Sequence, residues 1–393
     1  MTSLSLLAAA LLSFASCSIA GSIIFGYLPT WQLEAAKDVD ISRYTHVTIA
    51  FAEPSSNGTL EMENRDSAME WVPEITKAGA QALVSVGGWA GSKHFSPIMK
   101  DAGKRTQLID NIVSWVKDYE LNGIDIDYEY PGRQGDTCHP FDARVDTDNF
   151  LTFLTDLRSE FSRVFNDRKL ITLATRFQPF DGPDGPMRDV SDFASVIDYL
   201  NPMLYDFNGV WSETTGPNAP FNHEKGKGLQ YSFTSSIKEW VDAGIPAEKI
   251  LAGLPFYGRT VTAQNDLSVS RQMYAPLKKV IPRGDEDDQE EPDKSCGGPK
   301  AFSGVWKYSK LRGQAVLSSP DVAEEPWIRQ FDKVTKTPWL FNTDTKDFVS
   351  YDDPASIMYK CKYVKDNGLG GVMVWSMTSD FHNELVDAIS SIL

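Results

Sequence analysis

Eight short runs of β-branched and aromatic residues recur along this chain, and each one is closed by a glycine, a proline or a polar turn. Stretches with the apolar spacing of amphipathic helices alternate with them, for example residues 105–119, 148–165, 231–243 and 354–367. This alternation predicts parallel βαβ units with right-handed crossovers. Eight units predict an α/β fold, a (β/α)8 or TIM barrel. The predicted strands are residues 23–27, 46–51, 82–86, 123–129, 170–175, 199–205, 250–255 and 371–375.

A long segment separates the seventh predicted strand from the eighth, whereas the other strands follow one another at intervals of a few tens of residues. Its short β-like pieces predict a small α+β subdomain inserted between strands 7 and 8. We place this insertion at residues 260–346 and the barrel at residues 21–259 and 347–393. The acidic run at residues 285–291 lacks the spacing of a calcium loop, so we expect a solvated loop there.

The first twenty residues read as an apolar run followed by a Ser-rich stretch that ends in Ala20. This pattern predicts a signal peptide over residues 1–20, with cleavage before Gly21 and secretion to the extracellular space. No later stretch contains the roughly 18 consecutive apolar residues of a membrane helix, so we expect no membrane partner.

Charge and cysteine content exclude further classes. The chain has 38 Lys+Arg against 54 Asp+Glu, a net charge of −16, which opposes binding to a nucleic acid. Cys138, Cys296 and Cys361 would remain after cleavage, and they allow at most one internal disulfide and a free thiol. We therefore do not expect disulfides to hold the fold together. Their spacing does not fit a zinc site, and we predict no metal, no cofactor and a monomeric chain.

Three carboxylates share one face of the fourth predicted strand. Side chains alternate along a strand, so Asp125, Asp127 and Glu129 point one way while Ile124 and Ile126 point the other. The apolar side suits the surrounding helices, which leaves the acids inside the barrel. Neighbouring buried carboxylates repel, so some of them hold protons at neutral pH. Such perturbed acids at the carboxyl end of a barrel strand indicate catalysis.

This segment resembles the D-x-x-D-x-D-x-E signature of glycoside hydrolase family 18, the chitinases and their relatives. The chain departs from the signature at its first position, where Asn122 replaces aspartate. Four further segments resemble family motifs on strands 3, 6, 7 and 8, and the resemblance runs in order from about Ser22 to the C terminus. It is closest to the secreted bacterial and fungal type with an α+β insertion. The four segments are SVGGW at 85–89, MLYDF at 203–207, LPFYGR at 254–259 and GGVMVWS at 370–376.

The resemblance implies a catalytic role for four residues. Glu129 would be the acid/base, and the substrate's own acetamido group would attack the anomeric carbon, so that configuration is retained. Asp127 would bind the acetamido N–H and share a proton with Asp125, and Tyr205 would donate to the acetamido oxygen. We expect Asn122 to make hydrogen bonds at the bottom of the barrel without abolishing activity.

The resemblance also implies a set of substrate-binding residues. Trp375 would form the floor under the sugar, and Asp206 would bind hydroxyls or restrain Asp127. Further residues would add hydrogen bonds or line the pocket. For each of these residues, ordinary barrel packing is the alternative. Trp115 and Trp240 lie in helical segments and are predicted core residues, whereas Trp31 and Trp211 are placed for outer sugar subsites. The residues that would add hydrogen bonds or line the sugar pocket are Tyr27, Phe51, Gly88, Trp89, Met203, Tyr257 and Arg259.

Three functions are consistent with these residues. The first is a chitinase that acts on chitin and chitooligosaccharides by endo or exo cleavage, with a slight preference for an exo or processive mode. The second is a catalytically silent chitin-binding lectin, which the retained Glu129 disfavours and Asn122 keeps open. The third is an endo-β-N-acetylglucosaminidase acting on N-glycans, against which the insertion argues because it would raise one wall of a groove for a linear chain.

Overall fold

A computed structural model describes residues 22–292 and 296–393. The predicted signal peptide and its cleavage site lie outside the described residues. Within the described part of the chain, none of the helices combines the length and apolar character needed to cross a membrane.

Eight parallel strands form the predicted barrel. Hydrogen bonds join them in the order 7-8-1-2-3-4-5-6, and a single parallel bridge between Leu200 and Ile250 connects the sixth strand with the start of the seventh. The predicted fold class is therefore confirmed. The barrel strands are Ile23–Pro29, His46–Pro54, Gln81–Gly87, Gly123–Asp127, Leu170–Thr175, Tyr199–Pro202, Leu251–Pro255 and Gly371–Trp375.

Helices cover the outside of the barrel after seven of the eight strands. The first crossover differs from the expectation, because it consists of the 3-10 turns Thr30–Gln32, Ala35–Asp38 and Ile41–Arg43. In order from the second strand onward, the α-helices are Arg65–Met69, Trp71–Lys77, Gly88–Gly91, Phe95–Lys100, Ala102–Asp118, Asp146–Val164, Ser191–Val196, Phe233–Asp242, Leu267–Ser270, Tyr308–Gly313, Pro354–Asp366 and Glu384–Ser390.

The main core lies between the barrel and its helices. Ile124 and Ile126 on the outer face of the fourth strand are fully buried in it. The helix Asp146–Val164 contributes apolar residues at helical spacing to the same core. Trp115 and Trp240 are buried there, which confirms them as core residues.

The insertion contains a five-stranded antiparallel sheet with two short helices. Its first strand, Tyr257–Thr262, begins almost directly after the seventh barrel strand, so the sheet is joined to the mouth of the barrel. The sheet extends past both predicted bounds of the insertion, because its strand Tyr257–Thr262 begins before residue 260 and its strand Asp347–Ser350 lies after residue 346. Its strands, in spatial order, are Val305–Lys307, Tyr257–Thr262, Asp347–Ser350, Pro338–Asn342 and Trp327–Phe331.

The acidic run at residues 285–291 is not simply solvated, and this expectation is corrected in part. Asp285 and Asp288 are buried. The Asp288 carboxylate accepts the backbone N–H groups of Gly284, Ser303 and Gly304 at 2.7–3.0 Å. Backbone donors therefore replace water around this side chain and fix the turn.

One disulfide, Cys138–Cys296, joins the loop after the fourth barrel strand to the insertion. The remaining described cysteine, Cys361, is a buried thiol. The expectation of one disulfide and one free thiol is thus confirmed. The bond closes a separation of 158 residues, and a cross-link over so long a loop restricts the unfolded chain substantially.

Candidate active site

Asp125 lies at the centre of the barrel and is held by four neutral donors. The hydroxyls of Tyr27 and Ser85 donate to Oδ2 at 2.7 Å each, and the hydroxyl of Thr172 donates to Oδ1 at 2.6 Å. The Asn201 amide lies 3.4 Å from Oδ1. Burial raises the pKa of Asp125 from its ordinary 3.8 to about 6, although these hydrogen bonds oppose the rise.

The register of the parallel barrel strands explains why these donors converge on Asp125. Ser85, Asp125 and Thr172 are direct partners on strands 3, 4 and 5, so their side chains point inward at one level. Ser85 belongs to one of the motif segments, but Thr172 and Asn201 were not among the predicted site residues. A polar residue at an inward position of an otherwise apolar strand is the sequence signal that identifies them.

Asp127 is buried next in line toward the mouth of the barrel, and one of its oxygens lacks a partner. Among the described residues, no hydrogen bond reaches its Oδ1. The oxygens of Asp125 accept from the four donors above, and the sharing of a proton between Asp127 and Asp125 stays a prediction. Burial, followed by the charges of Glu129 and Asp125, raises the pKa of Asp127 well above 3.8.

Glu129 lies beyond the strand and not at its end as predicted, because the strand Gly123–Asp127 ends two residues earlier. Its side chain is nevertheless buried, with 7% of the residue exposed. Burial raises the pKa of Glu129 from 4.5 to about 7. Glu129 therefore holds a proton for part of the time at neutral pH, as a general acid requires.

Two glycines permit close packing of the chain around these acids. A Cβ at Gly87 would lie 2.2 Å from the carbonyl oxygen of Asp127, and one at Gly135 would lie 2.0 Å from that of Glu129. Neither position can carry a side chain without displacing the acidic segment. Gly88 is equally restricted, because its Cβ would lie 2.8 Å from the ring of Phe51.

Asn122 lies at the start of this segment, away from the carboxylates. Its side-chain oxygen accepts the backbone N–H of Ala82 at 2.8 Å, at the amino end of the third strand. The residue thus makes the expected hydrogen bond at the barrel bottom. An aspartate at this position could accept the same bond, so the substitution leaves this contact intact.

Asp206 forms an ion pair at the mouth of the barrel, and its charge contributes to the raised pKa of Glu129. Arg259 donates to its carboxylate at 2.8 and 2.6 Å, and the Tyr257 hydroxyl donates at 2.7 Å. Tyr205 is buried beside Tyr257, with ring centroids 5.9 Å apart. Its hydroxyl has only a weak contact with the Met373 sulfur at 3.8 Å. The structure therefore brings Tyr257 and Arg259 to Asp206, while the Tyr205 hydroxyl has no strong partner among the described residues.

An aromatic cluster forms the floor of the mouth. The rings of Trp375 and Phe51 stack at 5.6 Å, and Tyr27 contacts Trp375 edge-on at 5.5 Å. Trp31 joins the cluster 6.3 Å from Trp375 and is 51% exposed. Exposed rings of this kind present flat apolar faces.

The remaining predicted residues line the rim or the interior. Met203 is partly buried against the inner apolar cluster of the barrel. Trp89 is 49% exposed on the helix Gly88–Gly91, and no ring contact joins it to the aromatic floor in the described ranges. Trp211 is 55% exposed and lies over the Arg259 guanidinium at 5.5 Å.

The buried acids predict a specific pH dependence of stability. Because the pKa of Glu129 is raised in the folded state to about 7, the folded protein favours its neutral form, and stability is lost as pH rises from about 5 through 7. We expect Glu129→Gln to lack this loss, so that its free energy of unfolding rises by about 3 kcal/mol relative to that of wild type between pH 4 and pH 8.5. Urea unfolding at the two pH values measures it.

Glu290→Gln, at an exposed site, is the matched control and should leave the difference near zero. An equal pH dependence in wild type and Glu129→Gln would contradict the burial of an ionisable Glu129.

Comparison with known proteins identifies the family. The model of glycosyl hydrolases family 18 matches residues 23–380. A chitinase-like effector from Moniliophthora roreri is 34% identical, covering 96% of this chain and 95% of that protein. A crystal structure of a chitinase from Rhizomucor miehei superposes with a TM-score of 0.85 at 29% identity, covering 94% of this chain and 99% of that one.

A second solved structure is a complex with allosamidin. The Group IV chitinase of Ostrinia furnacalis, in complex with allosamidin, superposes with a TM-score of 0.77 at 25% identity, covering 95% of this chain and 98% of that one. The family match, the barrel and the strand-4 carboxylates agree with one another. The chain therefore belongs to glycosyl hydrolases family 18 and is a glycoside hydrolase.

Proposed function

We propose that this protein is a secreted, monomeric chitinase that hydrolyses β-1,4 bonds between N-acetylglucosamine units of chitin and chitooligosaccharides with retention of configuration. The observation that carries the proposal is the line of buried acids in which Asp127 keeps an unpartnered oxygen. A buried acceptor without a donor is costly. The acetamido N–H of a bound sugar is a donor of the right kind to satisfy it.

In the first step, protonated Glu129 gives its proton to the glycosidic oxygen as the C1–O bond breaks. The acetamido carbonyl oxygen of the same sugar forms the new bond to C1, giving a cyclic oxazolinium intermediate. In the second step, water bonds to C1 and loses a proton to the Glu129 carboxylate, and the ring reopens. Two displacements at C1 leave its configuration unchanged.

Asp127 stabilises the positive charge that develops on the acetamido nitrogen. The charge of Glu129 is one cause of its raised pKa, so protonation of Glu129 makes Asp127 more acidic. Repulsion between the two charges therefore disfavours the state in which both groups are ionised, so the pair retains a proton. The first step uses the form in which Glu129 holds that proton and Asp127 carries the negative charge.

The aromatic floor supplies affinity for an uncharged ligand. Trp375 offers a face on which the C–H surface of a sugar can pack, and Phe51 and Tyr27 hold that ring in place. The exposed rings of Trp31, Trp89 and Trp211 at the rim are candidates for outer subsites. The allosamidin complex of the Ostrinia furnacalis relative supports a carbohydrate-like ligand on this fold.

Turnover of a labelled N-acetylglucosamine hexamer tests the proposal. Wild type should release shorter oligomers, and Glu129→Gln should lower kcat by at least about a hundredfold, because acid–base catalysis contributes that much or more. Early products analysed by NMR should carry the β-anomer. Glu290→Gln should behave as wild type, and an α-anomeric first product would reject the acetamide mechanism.

A second candidate is binding of chitin oligomers without turnover. It is favoured by the relative from Moniliophthora roreri, whose name is "chitinase-like effector". It would be established if wild type binds the hexamer but releases no product at any pH from 4 to 8. Release of glycans from a glycoprotein would instead indicate the endo-β-N-acetylglucosaminidase.

Secretion is the remaining part of the proposal. The chain expressed with its first twenty residues in a eukaryotic host should accumulate in the medium, with Gly21 as its N-terminal residue and the mass of one chain in solution. N-terminal sequencing and light scattering measure this. Retention in the cell with Met1 still present would contradict it.

A further inference from the structure

We propose that Ser92 is a positioning residue for Glu129, holding the backbone of the acid/base in place from the 3-10 turn Ser92–His94 that follows the third barrel strand. The kinetic consequence of this role rests on the proposed chitinase function. The positional claim does not, because it concerns where Glu129 lies in the folded protein.

Ser92 connects two separate parts of the active site. Its hydroxyl oxygen accepts the backbone N–H of Glu129 at 2.9 Å. Its hydroxyl hydrogen faces two carbonyls, that of Gly88 at 2.7 Å and that of Asp127 at 3.2 Å. Ser92 is 2% exposed, so water does not compete for these bonds.

The position of Glu129 makes such a contact necessary. The fourth strand ends at Asp127, so the residues after it have left the hydrogen-bond ladder of the barrel. A buried backbone N–H without an acceptor would be costly at Glu129. The side chain of Ser92 supplies that acceptor, and it does so from a different strand–helix connection.

The neighbouring glycines define how closely the two parts fit. Gly87 packs against the Asp127 carbonyl and Gly135 against the Glu129 carbonyl. These packing contacts limit movement of the acidic segment toward each glycine, but they do not fix the orientation of that segment. The hydrogen bond from Glu129 to Ser92 adds direction, so the three contacts together orient the acidic segment.

A purely structural role is the alternative, because a serine hydroxyl that donates to the carbonyl four residues earlier is common in helical turns. Ser96 provides the matched control. It is also buried in the helical stretch after the third strand, but it donates to the Asp146 carboxylate at 2.8 Å, and it meets the acidic segment at the Tyr128 side chain and not at the backbone of Glu129. Ser92→Ala and Ser96→Ala both remove one buried hydroxyl.

The experiment has two arms. In the first, the Glu129 carboxyl is titrated by 13C NMR in protein labelled at the glutamate carboxyl carbon, with the signal assigned by its absence in Glu129→Gln. Burial is what raises the pKa of Glu129, so loosening the segment in Ser92→Ala should lower its midpoint by at least half a pH unit. Ser96→Ala should leave the midpoint unchanged.

In the second arm, hexamer hydrolysis should show kcat lowered about tenfold or more in Ser92→Ala, since small misplacements of a catalytic group are costly. KM should stay within about twofold, and Ser96→Ala should retain wild-type kcat. If Ser92→Ala does not fold, the isosteric pair Ser92→Thr and Ser92→Val decides, because the two differ by the hydroxyl alone.

A Glu129 midpoint unchanged in Ser92→Ala, or shifted equally in Ser96→Ala, overturns the positioning role. Absence of turnover in wild type would overturn the proposed function, and the titration would still decide the role of Ser92. The two failures are therefore distinguishable.

Discussion

The structure depends on burying three carboxylates between the centre of the barrel and its mouth, and none of the ion pairs among the described residues reaches them. Asp125 is surrounded by neutral donors, and Arg259 at the mouth is paired with Asp206. A lysine or arginine against Glu129 would stabilise its ionised form and remove the proton that the proposed first step requires. Neutral hydrogen-bond donors around Asp125 and the burial of Glu129 therefore keep these acids partly protonated although they lie close together.

The surrounding elements serve this arrangement. The third strand supplies Ser85 to Asp125 and Gly87 to the segment of Asp127 and Glu129, and the 3-10 turn that follows supplies Ser92 to the same segment. The insertion takes part as well, because Arg259 lies on the first strand of its sheet. The site is thus built where the barrel and the insertion meet. The disulfide Cys138–Cys296 also joins the two, because it links the loop after the fourth barrel strand to the insertion.

Much of this could be predicted from the sequence, for physical reasons. Alternation along a strand placed Asp125 and Asp127 inside the barrel, and recurring strand–helix pairs indicated eight units. Contacts between distant segments could not be read in the same way. Nothing local marks Ser92 as the partner of Glu129, and Asp288 in an acidic run gives no sign that backbone amides from residues 303 and 304 surround it.

The local errors have a similar origin. The strand was expected to continue to Glu129 because its alternation continues, yet the chain leaves the ladder after Asp127. The first crossover has too few residues in regular apolar spacing for an α-helix and forms 3-10 turns. Periodicity reports which side of the chain is apolar, and it does not report where pairing with a neighbour stops.

We propose that the unpartnered oxygen of Asp127 receives the acetamido group of the sugar. A crystal structure of the Glu129→Gln variant with a bound N-acetylglucosamine oligomer tests this contact. We expect the acetamido N–H within hydrogen-bond distance of the Asp127 carboxylate and the acetamido oxygen near the Tyr205 hydroxyl, with the sugar over Trp375. An oligomer bound with its acetamido groups directed away from Asp127, or bound outside the mouth of the barrel, would contradict it.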